Sequence, residues 1–302
     1  MAAQQPIRIK SINEIHKALG LPMPEHPLIT VLDYGAVSNE PHETSVVMDF
    51  YSISIKRGVN KMYYGHQTYD FDGGVMALMA PNQVLRSVEH SAVTERSGWI
   101  MLFHPDLLWN TTLAKKIKQY DFFDYSTTEA LFVSDKEEAV MNSIIDNIKH
   151  EYRANIDKFS QEVIIAQLEL LFTYVQRFYE RQFITRKISG NQILNRLEDL
   201  LNDYFNNDEL LSKGLPTVQY VADKLNLSTK YLSNLLKQIT GETTQQHIHN
   251  KLIEKAKEKL STTNLSVSEI AYELGFEHSQ SFSKLFKAKT NQSPLDFRQS
   301  FN

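Results

Sequence analysis

The sequence predicts an α+β protein: a small β-barrel or sandwich with flanking helices, then an all-α domain with two helix-turn-helix units. Three observations predict this fold class. Between residues 28 and 104, short runs rich in β-branched and aromatic residues recur at roughly ten-residue spacing. Beyond Pro105 the apolar residues take helical spacing. The segment Leu232–Thr240 also recurs as Phe282–Thr290, with Ser, Leu, Lys and Thr at matching places.

The composition fits a globular protein of about two domains. Of the 302 residues, 42% are hydrophobic and 23% are charged, and cysteine is absent. The lack of cysteine excludes disulfides, a thiolate zinc site and a cysteine nucleophile. The N-terminus lacks the apolar core of a signal peptide, and no run approaches the ~18 apolar residues of a membrane span. We therefore expect a cytoplasmic protein.

The net charge of −4 is unevenly distributed. Residues 1–183 carry 17 Lys and Arg against 23 Asp and Glu, which gives −6, whereas residues 184–302 carry 15 against 13, which gives +2. The C-terminal part is therefore not a basic block. Any signal for a nucleic-acid partner has to come from local placement of charge.

The N-terminal strands are predicted from five runs, which end at glycine, proline or polar residues. They are 46–58, 61–74, 75–81, 83–90 and 97–105. We expect the N-terminal domain to span 1–183, with helices at 105–183. A short basic linker, 184–190, ends at Gly190. A helical domain should then occupy 191–302.

Two long helices are predicted in the second half of the N-terminal domain. The first begins with a capping box formed by Ser134 and Glu137. The second, at about 159–183, carries apolar residues that step by 4, 3, 4 and 3, as in a coiled coil. They are Ile164, Leu168, Leu171, Val175 and Phe178. This seam either packs on the β domain or forms a homodimer interface, and Ile165, Phe172 and Tyr179 beside it allow both on different faces.

The repeated segment extends backwards in both copies. Val221-Ala222 matches Ile270-Ala271 at an offset of 49, whereas the opening repeat has an offset of 50, so the second turn holds one extra residue. Each copy is predicted to form a short helix, a tight turn and a second helix of 11–12 residues. This is the helix-turn-helix pattern, with units at about 217–240 and 266–290.

Capping residues support these boundaries. Capping boxes are predicted for Ser266 with Glu269 and for Thr243 with Gln246, and Ser228 is a good N-cap for the second helix of the first unit. Gly241 and Asn291 follow the two second helices at equivalent places, and both residue types tolerate the left-handed conformation. A last helix should open at Ser293-Pro294.

Each second helix has one apolar and one polar face. The predicted inward residues are Leu232, Leu235, Leu236 and Ile239 in the first, and Phe282, Leu285 and Phe286 in the second. The predicted outward residues are Lys230, Ser233, Asn234 and Lys237 in the first, and Gln280, Ser283, Lys284 and Lys287 in the second. Neither helix contains Asp or Glu. An acid-free surface of Lys, Ser, Asn and Gln suits contact with phosphates and base edges.

The spacer between the units is predicted as one helix, 243–261. Its nineteen residues would measure about 28 Å at ~1.5 Å per residue. Because major-groove faces recur every ~34 Å on one side of a duplex, a rigid helix of this length can hold two readers about one turn apart.

Three stretches of the C-terminal part carry a resemblance to a known family: VADKLNLSTKYLSNLLKQITG, LIEKAKEKL and SEIAYELGFEHSQSFSKLFKAKTNQSPLDFR. They resemble the AraC/XylS family of transcriptional regulators, and the resemblance covers residues 215–300. The resemblance implies base-facing roles for Lys230, Ser233 and Asn234 in the first unit, and for Ser279, Gln280, Ser283 and Lys284 in the second. Many members place arginine where this chain has Asn234 and Leu252. Asn291 likewise replaces a usual glycine.

The family usually joins this domain to a cupin-like β-barrel that binds a small effector and dimerises through adjacent helices. Here Tyr63, Tyr64, His66, Met76 and Trp99, with Tyr69 and Met79, can form an aromatic pocket, or they simply fill the core. Metal-binding cupins resemble one another in an HxH pair, whereas this barrel offers His66, His90 and His104 singly. His247 and His249 do form HxH, but residues i and i+2 of a helix do not face one another.

The sequence thus predicts a non-enzymatic, sequence-specific regulator, with no cofactor or metal, that binds double-stranded DNA as a homodimer under small-molecule control. An activator would also contact RNA polymerase. Two alternatives remain: a constitutive regulator whose barrel only dimerises, and a cupin enzyme with an accessory helical domain.

Overall fold

The computed structural model describes residues 6–37, 45–57, 74–86, 97–126, 129–154, 157–185, 187–207, 210 and 213–300. The chain divides into two compact units, Met1–Gln182 and Phe183–Asn302. The predicted strand 61–74, except for residue 74, and the pocket candidates Tyr63, Tyr64 and His66 lie outside the described residues. Among the described helices, none is both long enough and apolar enough to cross a membrane.

The first unit contains two β-sheets. Their strands are β1 (Ile7–Ile9), β2 (Ile29–Asp33), β3 (Ser45–Met48), β4 (Tyr51–Arg57), β5 (Val75–Met79), β6 (Val84–Arg86), β7 (Ser97–Phe103) and β8 (Leu131–Phe132). One sheet has the order β1-β3-β6, the other β2-β7-β4-β5-β8. The pair β1–β3 is parallel and the other pairs are antiparallel. Within the described ranges these strands do not close into a barrel.

The single strand predicted over 46–58 is in fact two strands, β3 and β4, which belong to different sheets. The chain bends at Asp49 and Phe50, where the Asp49 amide donates to the Ile9 carbonyl at 3.0 Å and the Phe50 side chain is fully buried. The apolar pattern continues through this bend because Phe50 fills the core. The sequence pattern therefore predicts one continuous strand, although the chain passes from one sheet to the other at this bend.

Among the described residues, four α-helices accompany the sheets: α1 (Ile12–Ala18), α2 (Leu113–Lys116), α3 (Asp135–Arg153) and α4 (Ser160–Thr185). Short 3-10 helices lie at Pro105–Leu108, Ile117–Gln119 and Asp121–Phe123. Strand β7 shows how the layers are ordered. Its residue Leu102 packs in a cluster with Ile9 and Ile12, on the side of the three-stranded sheet. On the other side, the Trp99 indole donates to Asn142 Oδ1 of α3 at 2.8 Å, and the Phe103 ring lies 6.5 Å from the Phe172 ring of α4. The five-stranded sheet is thus covered on both faces.

The predicted seam on α4 lies in the core. Its five residues are at most 5% exposed in the single chain: Ile164, Leu168, Leu171, Val175 and Phe178. The neighbouring Phe172 and Tyr179 are buried as well and contact the aromatic ring of Phe122. A buried seam has no surface to offer to a second copy. Burial of the seam in the single chain favours the packing alternative over the dimer alternative.

The predicted capping box at the start of α3 is confirmed. The Ser134 hydroxyl accepts from the Glu137 amide, and the Glu137 carboxylate accepts from the Ser134 amide at 2.9 Å. Arg181 of α4 donates to both oxygens of the same carboxylate, at 3.0 and 2.8 Å, and to the Phe132 carbonyl at 2.7 Å. One carboxylate thus ties the beginning of α3 to α4 and to strand β8.

The second unit is entirely helical where it is described. After the end of α4, its helices are α5 (Lys187–Asn206), α6 (Val218–Leu225), α7 (Thr229–Thr240), α8 (Thr244–Thr262), α9 (Val267–Glu273), α10 (Ser279–Thr290) and α11 (Pro294–Gln299). Their apolar faces meet in one cluster that includes Leu197, Val221, Leu236, Leu252 and Phe282, all fully buried.

The segment 184–190, predicted as a linker, is helical at 184–185 and at 187–190. Gly190 lies inside α5 and is buried, because its Cα faces the side chains of Leu235 and Ile239 on α7. The glycine that suggested the end of a linker instead allows two helices to pack closely.

Candidate nucleic-acid interface

The first helix-turn-helix unit is α6, a turn and α7. The Thr217 hydroxyl caps α6, and α6 ends at Asn226, whose φ of 57° is left-handed. The next amide, that of Leu227, donates to the Ala222 carbonyl at 3.0 Å. Ser228 then caps α7 by accepting from the Tyr231 amide at 3.2 Å, as predicted.

The second helix-turn-helix unit repeats this geometry. It consists of α9, a turn and α10. Gly275 takes the left-handed place of Asn226, with a φ of 79°. The Phe276 amide donates to the Ala271 carbonyl at 3.0 Å, as Leu227 does to Ala222. The equivalence at an offset of 49 thus holds through Phe276. The extra residue therefore lies between Phe276 and the start of α10. This is the turn in which the sequence predicts the insertion.

The two second helices also end alike. The hydroxyl of Thr240 donates to the Leu236 carbonyl at 2.8 Å, and that of Thr290 donates to the Phe286 carbonyl at 2.8 Å. The following residues are left-handed, with φ of 80° at Gly241 and 61° at Asn291. Both predicted helix ends are confirmed, and asparagine supplies the same conformation as glycine.

The predicted inward faces of α7 and α10 are confirmed. Leu232, Leu235, Leu236, Phe282 and Phe286 are buried, and Ile239 and Leu285 pack partly buried against the same core. The Phe282 ring lies 5.5 Å from Phe276 and 5.8 Å from Phe286. Burial of these apolar faces fixes which side of each helix is turned outward.

The outward residues fall into two groups. Exposed are Lys230, Lys237, Gln280, Lys284 and Lys287. Half-buried are Ser233, Asn234, Ser279 and Ser283. Ser233 Oγ lies 3.0 Å from Thr244 Oγ1, and Ser283 Oγ donates to the Ser279 carbonyl at 3.0 Å. These two hydroxyls already have partners in the protein, so the lysines and Gln280 are the most accessible groups.

The electrostatics of this surface favour an anionic partner. Helices α7 and α10 contain no Asp or Glu, and they carry two and three lysines respectively. A lysine-bearing helix face without carboxylates of its own attracts phosphate. Long amphipathic lysine stems also let the ammonium groups reach outward from the helix.

Helix α8 connects the two helix-turn-helix units and packs in the same core as both of them. Its residues Ile248, Leu252 and Ala256 are at most 1% exposed. Arg298, in α11, donates from Nε to the Leu260 carbonyl near the end of α8 at 3.1 Å. Leu252, where many family members have arginine, is thus a core residue here. Because both helix-turn-helix units share this core, α8 couples the orientation of one unit to that of the other.

The two histidines of the HxH pair have different partners. His247 Nε2 lies 2.9 Å from Thr240 Oγ1, whereas His249 Nε2 lies 2.8 Å from the Gln245 side-chain nitrogen. Burial lowers the pKa of both histidines below the usual value, and the nearby Lys289 lowers that of His249 further. Both side chains therefore serve local contacts of α8, and nothing in this geometry brings them together as ligands.

The described pocket candidates of the first unit are buried. Met76 is fully buried and Trp99 is 6% exposed. Both are paired with Ile55 across the sheet, on the face covered by α3. A separate cleft of about 200 Å³ is lined by Leu21, Met23, Thr30 and Ala36, with Tyr152 and Arg153 of α3. No sequence pattern indicates this cleft, because its walls come from loops and from three distant segments.

Lys289 and Asn250 were also missed. Lys289 is exposed on α10, and its Nζ donates to Asn250 Oδ1 of α8 at 3.0 Å. Lys289 lies off the predicted outward stripe, two residues beyond Lys287, which turns it by about 200° around the helix. No periodicity links a single asparagine on one helix to a lysine 39 residues away.

The comparisons with known proteins agree with this geometry. A family model described as a helix-turn-helix domain matches residues 221–300. The chain is 34% identical over 136 residues to the HTH-type transcriptional activator RhaS of Salmonella paratyphi B (strain ATCC BAA-1250 / SPB7), which is 45% of this chain and 46% of the relative. The same values hold for RhaS of Salmonella newport (strain SL254). The chain thus spans about half the length of the curated relatives it matches.

Two solved structures are also similar. The C-terminal domain of AraT, a response regulator from Geobacillus stearothermophilus, is 30% identical, with a TM-score of 0.32, over 36% of this chain and 84% of that chain. The C-terminal domain of the two-component response regulator yesN from Fusobacterium nucleatum is 33% identical, with a TM-score of 0.29, over 33% and 96%. The family match covers both turns and both second helices, and the chain therefore carries a helix-turn-helix domain similar to part of the transcriptional activators named above.

Proposed function

We propose that the protein is a sequence-specific transcription regulator whose two helix-turn-helix units read successive major-groove segments of one DNA duplex. One observation carries this proposal: α7 and α10 are equivalent, acid-free helices, each anchored by a buried apolar face in the same core. A recognition helix has to be packed firmly against the protein core and has to expose a polar face. Both α7 and α10 meet these two requirements.

The length of α8 supports the two-site arrangement. Its nineteen residues measure about 28 Å at ~1.5 Å per residue. Successive major-groove faces recur at ~34 Å. One chain can therefore present two readers to one side of the duplex, as two subunits do in simpler helix-turn-helix proteins.

The test starts from DNA sequences that the full-length protein selects from a random pool. We expect Lys284→Ala and Asn234→Ala to weaken binding to the selected site about tenfold or more, since a good base contact contributes ~1–3 kcal/mol of discrimination. Binding to random DNA should fall much less. Titration of both DNAs by fluorescence anisotropy measures the ratio.

Lys149→Ala is the matched control for Lys284→Ala. Lys149 lies on α3 of the first unit, makes an ion pair with Asp146, and loses the same charge on substitution. We expect it to change neither affinity. Equal losses on selected and random DNA for Lys284→Ala and Asn234→Ala would show that these residues touch only phosphate. Failure of the wild type to enrich any sequence would exclude the proposed function.

We also propose that the N-terminal unit of the chain binds a small organic ligand that regulates the protein. The cleft between the loop after α1 and the end of α3 supports this, because it combines apolar walls with polar groups at its rim. A thermal-shift screen of the full chain against metabolites tests the idea, since a ligand raises the melting temperature by mass action. Filling the cleft with Ala36→Trp should abolish such a shift. If no compound shifts the wild type, the constitutive alternative is favoured.

We further propose that the protein dimerises through the outer face of α4 rather than through the buried seam. Exposed there are Val163, Ala166, Leu170 and Thr173, at spacings of 3, 4 and 3, with Val163 40% and Leu170 44% exposed. This is coiled-coil spacing. Leu170→Glu should convert a dimer to a monomer in sedimentation while leaving the monomer folded. A monomeric wild type, or a variant that remains dimeric, would contradict the assignment.

By analogy with relatives that are named transcriptional activators, we propose activation, with RNA polymerase as a further partner. Metal analysis of the purified protein tests the enzyme alternative, because stoichiometric iron, manganese or zinc would support a cupin enzyme. No cluster of metal-binding side chains stands out among the described residues.

A further inference from the structure

A polar bridge joins the C-terminal ends of the two recognition helices. The Asn250 amide of α8 donates to both carboxylate oxygens of Glu242, at 3.0 and 2.8 Å. Its carbonyl oxygen accepts from Lys289 Nζ at 3.0 Å. Glu242 lies in the short turn between α7 and α8, one residue beyond the C-cap Gly241, and Lys289 lies in the last turn of α10. The three side chains therefore connect α7, α8 and α10.

The chemistry of the bridge requires an amide at its centre. An ammonium group only donates and a carboxylate only accepts, so the central side chain has to accept on one side and donate on the other. Asparagine does both, and these two partners also determine which way its amide points. Alanine would remove the bonds to both partners, and aspartate would keep the bond to Lys289 while repelling Glu242.

Both ends of the bridge are held in place. The Glu242 amide donates to Thr240 Oγ1 at 3.2 Å, and the Thr240 hydroxyl is itself bonded to the Leu236 carbonyl at the end of α7. Lys289 lies on α10, which Phe286 anchors in the core. A shift of α10 relative to α7 would therefore stretch or break the bridge.

We propose that Asn250 is a positioning residue that fixes the angle between the two recognition helices and so sets the spacing between the two DNA segments that the protein accepts. The inference rests on the proposed function. Base contacts come from the N-terminal parts of recognition helices, so a constraint on their C-terminal ends controls where the N-terminal ends meet the duplex. In this assignment Lys289 acts on the protein and not on DNA.

The experiment uses the full-length protein and the site that it selects from random DNA, with one base pair inserted or deleted between the two contacted segments. We expect the wild type to discriminate sharply against both changed spacings. Asn250→Ala should reduce that discrimination about threefold to tenfold, the range available to one or two exposed charge-assisted hydrogen bonds. Affinity for the selected spacing should fall less. Asn250→Asp should behave like Asn250→Ala.

Lys289→Ala and Lys287→Ala form a matched pair on the same helix. Lys289→Ala should relax the spacing preference and leave the salt dependence of binding unchanged, whereas Lys287→Ala should lower the salt slope by about 0.9 and leave the spacing preference intact. The double variant Asn250→Ala/Lys289→Ala should relax spacing no more than either single variant, because both remove one coupled contact.

Unchanged spacing discrimination in Asn250→Ala would overturn the inference, and so would a salt slope that falls in Lys289→Ala as it does in Lys287→Ala. Because Asn250 is exposed, its variants should keep the melting temperature of the wild type. If the wild type selects no DNA sequence, the proposed function fails and this inference with it. If it does select one, only the spacing and salt measurements decide on the role of Asn250.

Discussion

Gly275→Ala should destabilise the C-terminal unit more than any single alanine substitution on its surface. The backbone of Gly275 is left-handed, with a φ of 79°, and a Cβ there would lie 3.0 Å from Gly214 Cα and 3.2 Å from the Leu215 nitrogen. The left-handed backbone costs an L-residue about 1–2 kcal/mol. The crowding adds about 1–3 kcal/mol, because backbone atoms cannot rotate away. Urea unfolding followed by circular dichroism measures the loss.

Gly241→Ala is the matched control. Its φ of 80° is nearly the same, but nothing lies within 4 Å of the added methyl group. It should cost only the backbone term of about 1–2 kcal/mol. Equal destabilisation of both variants would mean that the approach of Gly275 to Gly214 contributes nothing. Specific DNA binding by Gly275→Ala should weaken in proportion to the unfolded fraction.

Phe282→Ala should destabilise the same domain by about 3–5 kcal/mol, the range for removing a buried phenylalanine. The side chain is fully buried, and its ring contacts Phe276 in the turn and Phe286 one helical turn further on. The substitution leaves a cavity under α10, the second recognition helix. Calorimetry should show a lower melting temperature for the C-terminal unit, and affinity for the selected DNA should fall with it.

Phe282→Leu keeps most of the volume and should cost about 1.5 kcal/mol or less. If Phe282→Ala were as stable as Phe282→Leu, the neighbouring rings would have to collapse into the space. Normal stability with lost DNA binding would instead indicate that Phe282 acts at the interface, which its complete burial argues against.

The C-terminal unit could be predicted in detail because local signals dominate there. The caps at Ser228, Thr243 and Ser266 and the left-handed ends at Gly241 and Asn291 each act over a few residues. The helix bounds therefore follow closely from the sequence. The predicted base-facing roles of Lys230, Gln280 and Lys284 stay predictions that DNA binding has to test.

The N-terminal unit was less predictable because its elements depend on distant partners. Strand β1 pairs in parallel with β3, and the bend at Phe50 is specified by the core rather than by a turn residue. The seam of α4 looked like a coiled coil because a helix packed on a sheet can carry the same 4, 3 spacing.

The bridge through Asn250 joins elements 39 residues apart, and no local pattern indicates it.

The common core of the two helix-turn-helix units has a consequence for loss of activity. Val221 of the first unit and Ile270 of the second belong to the same buried cluster. The domain should therefore melt as one cooperative step, without a species that retains a single working reader. On the proposed function, warming a weakened variant should abolish DNA binding by both units together over a few degrees, without a state in which only one unit binds.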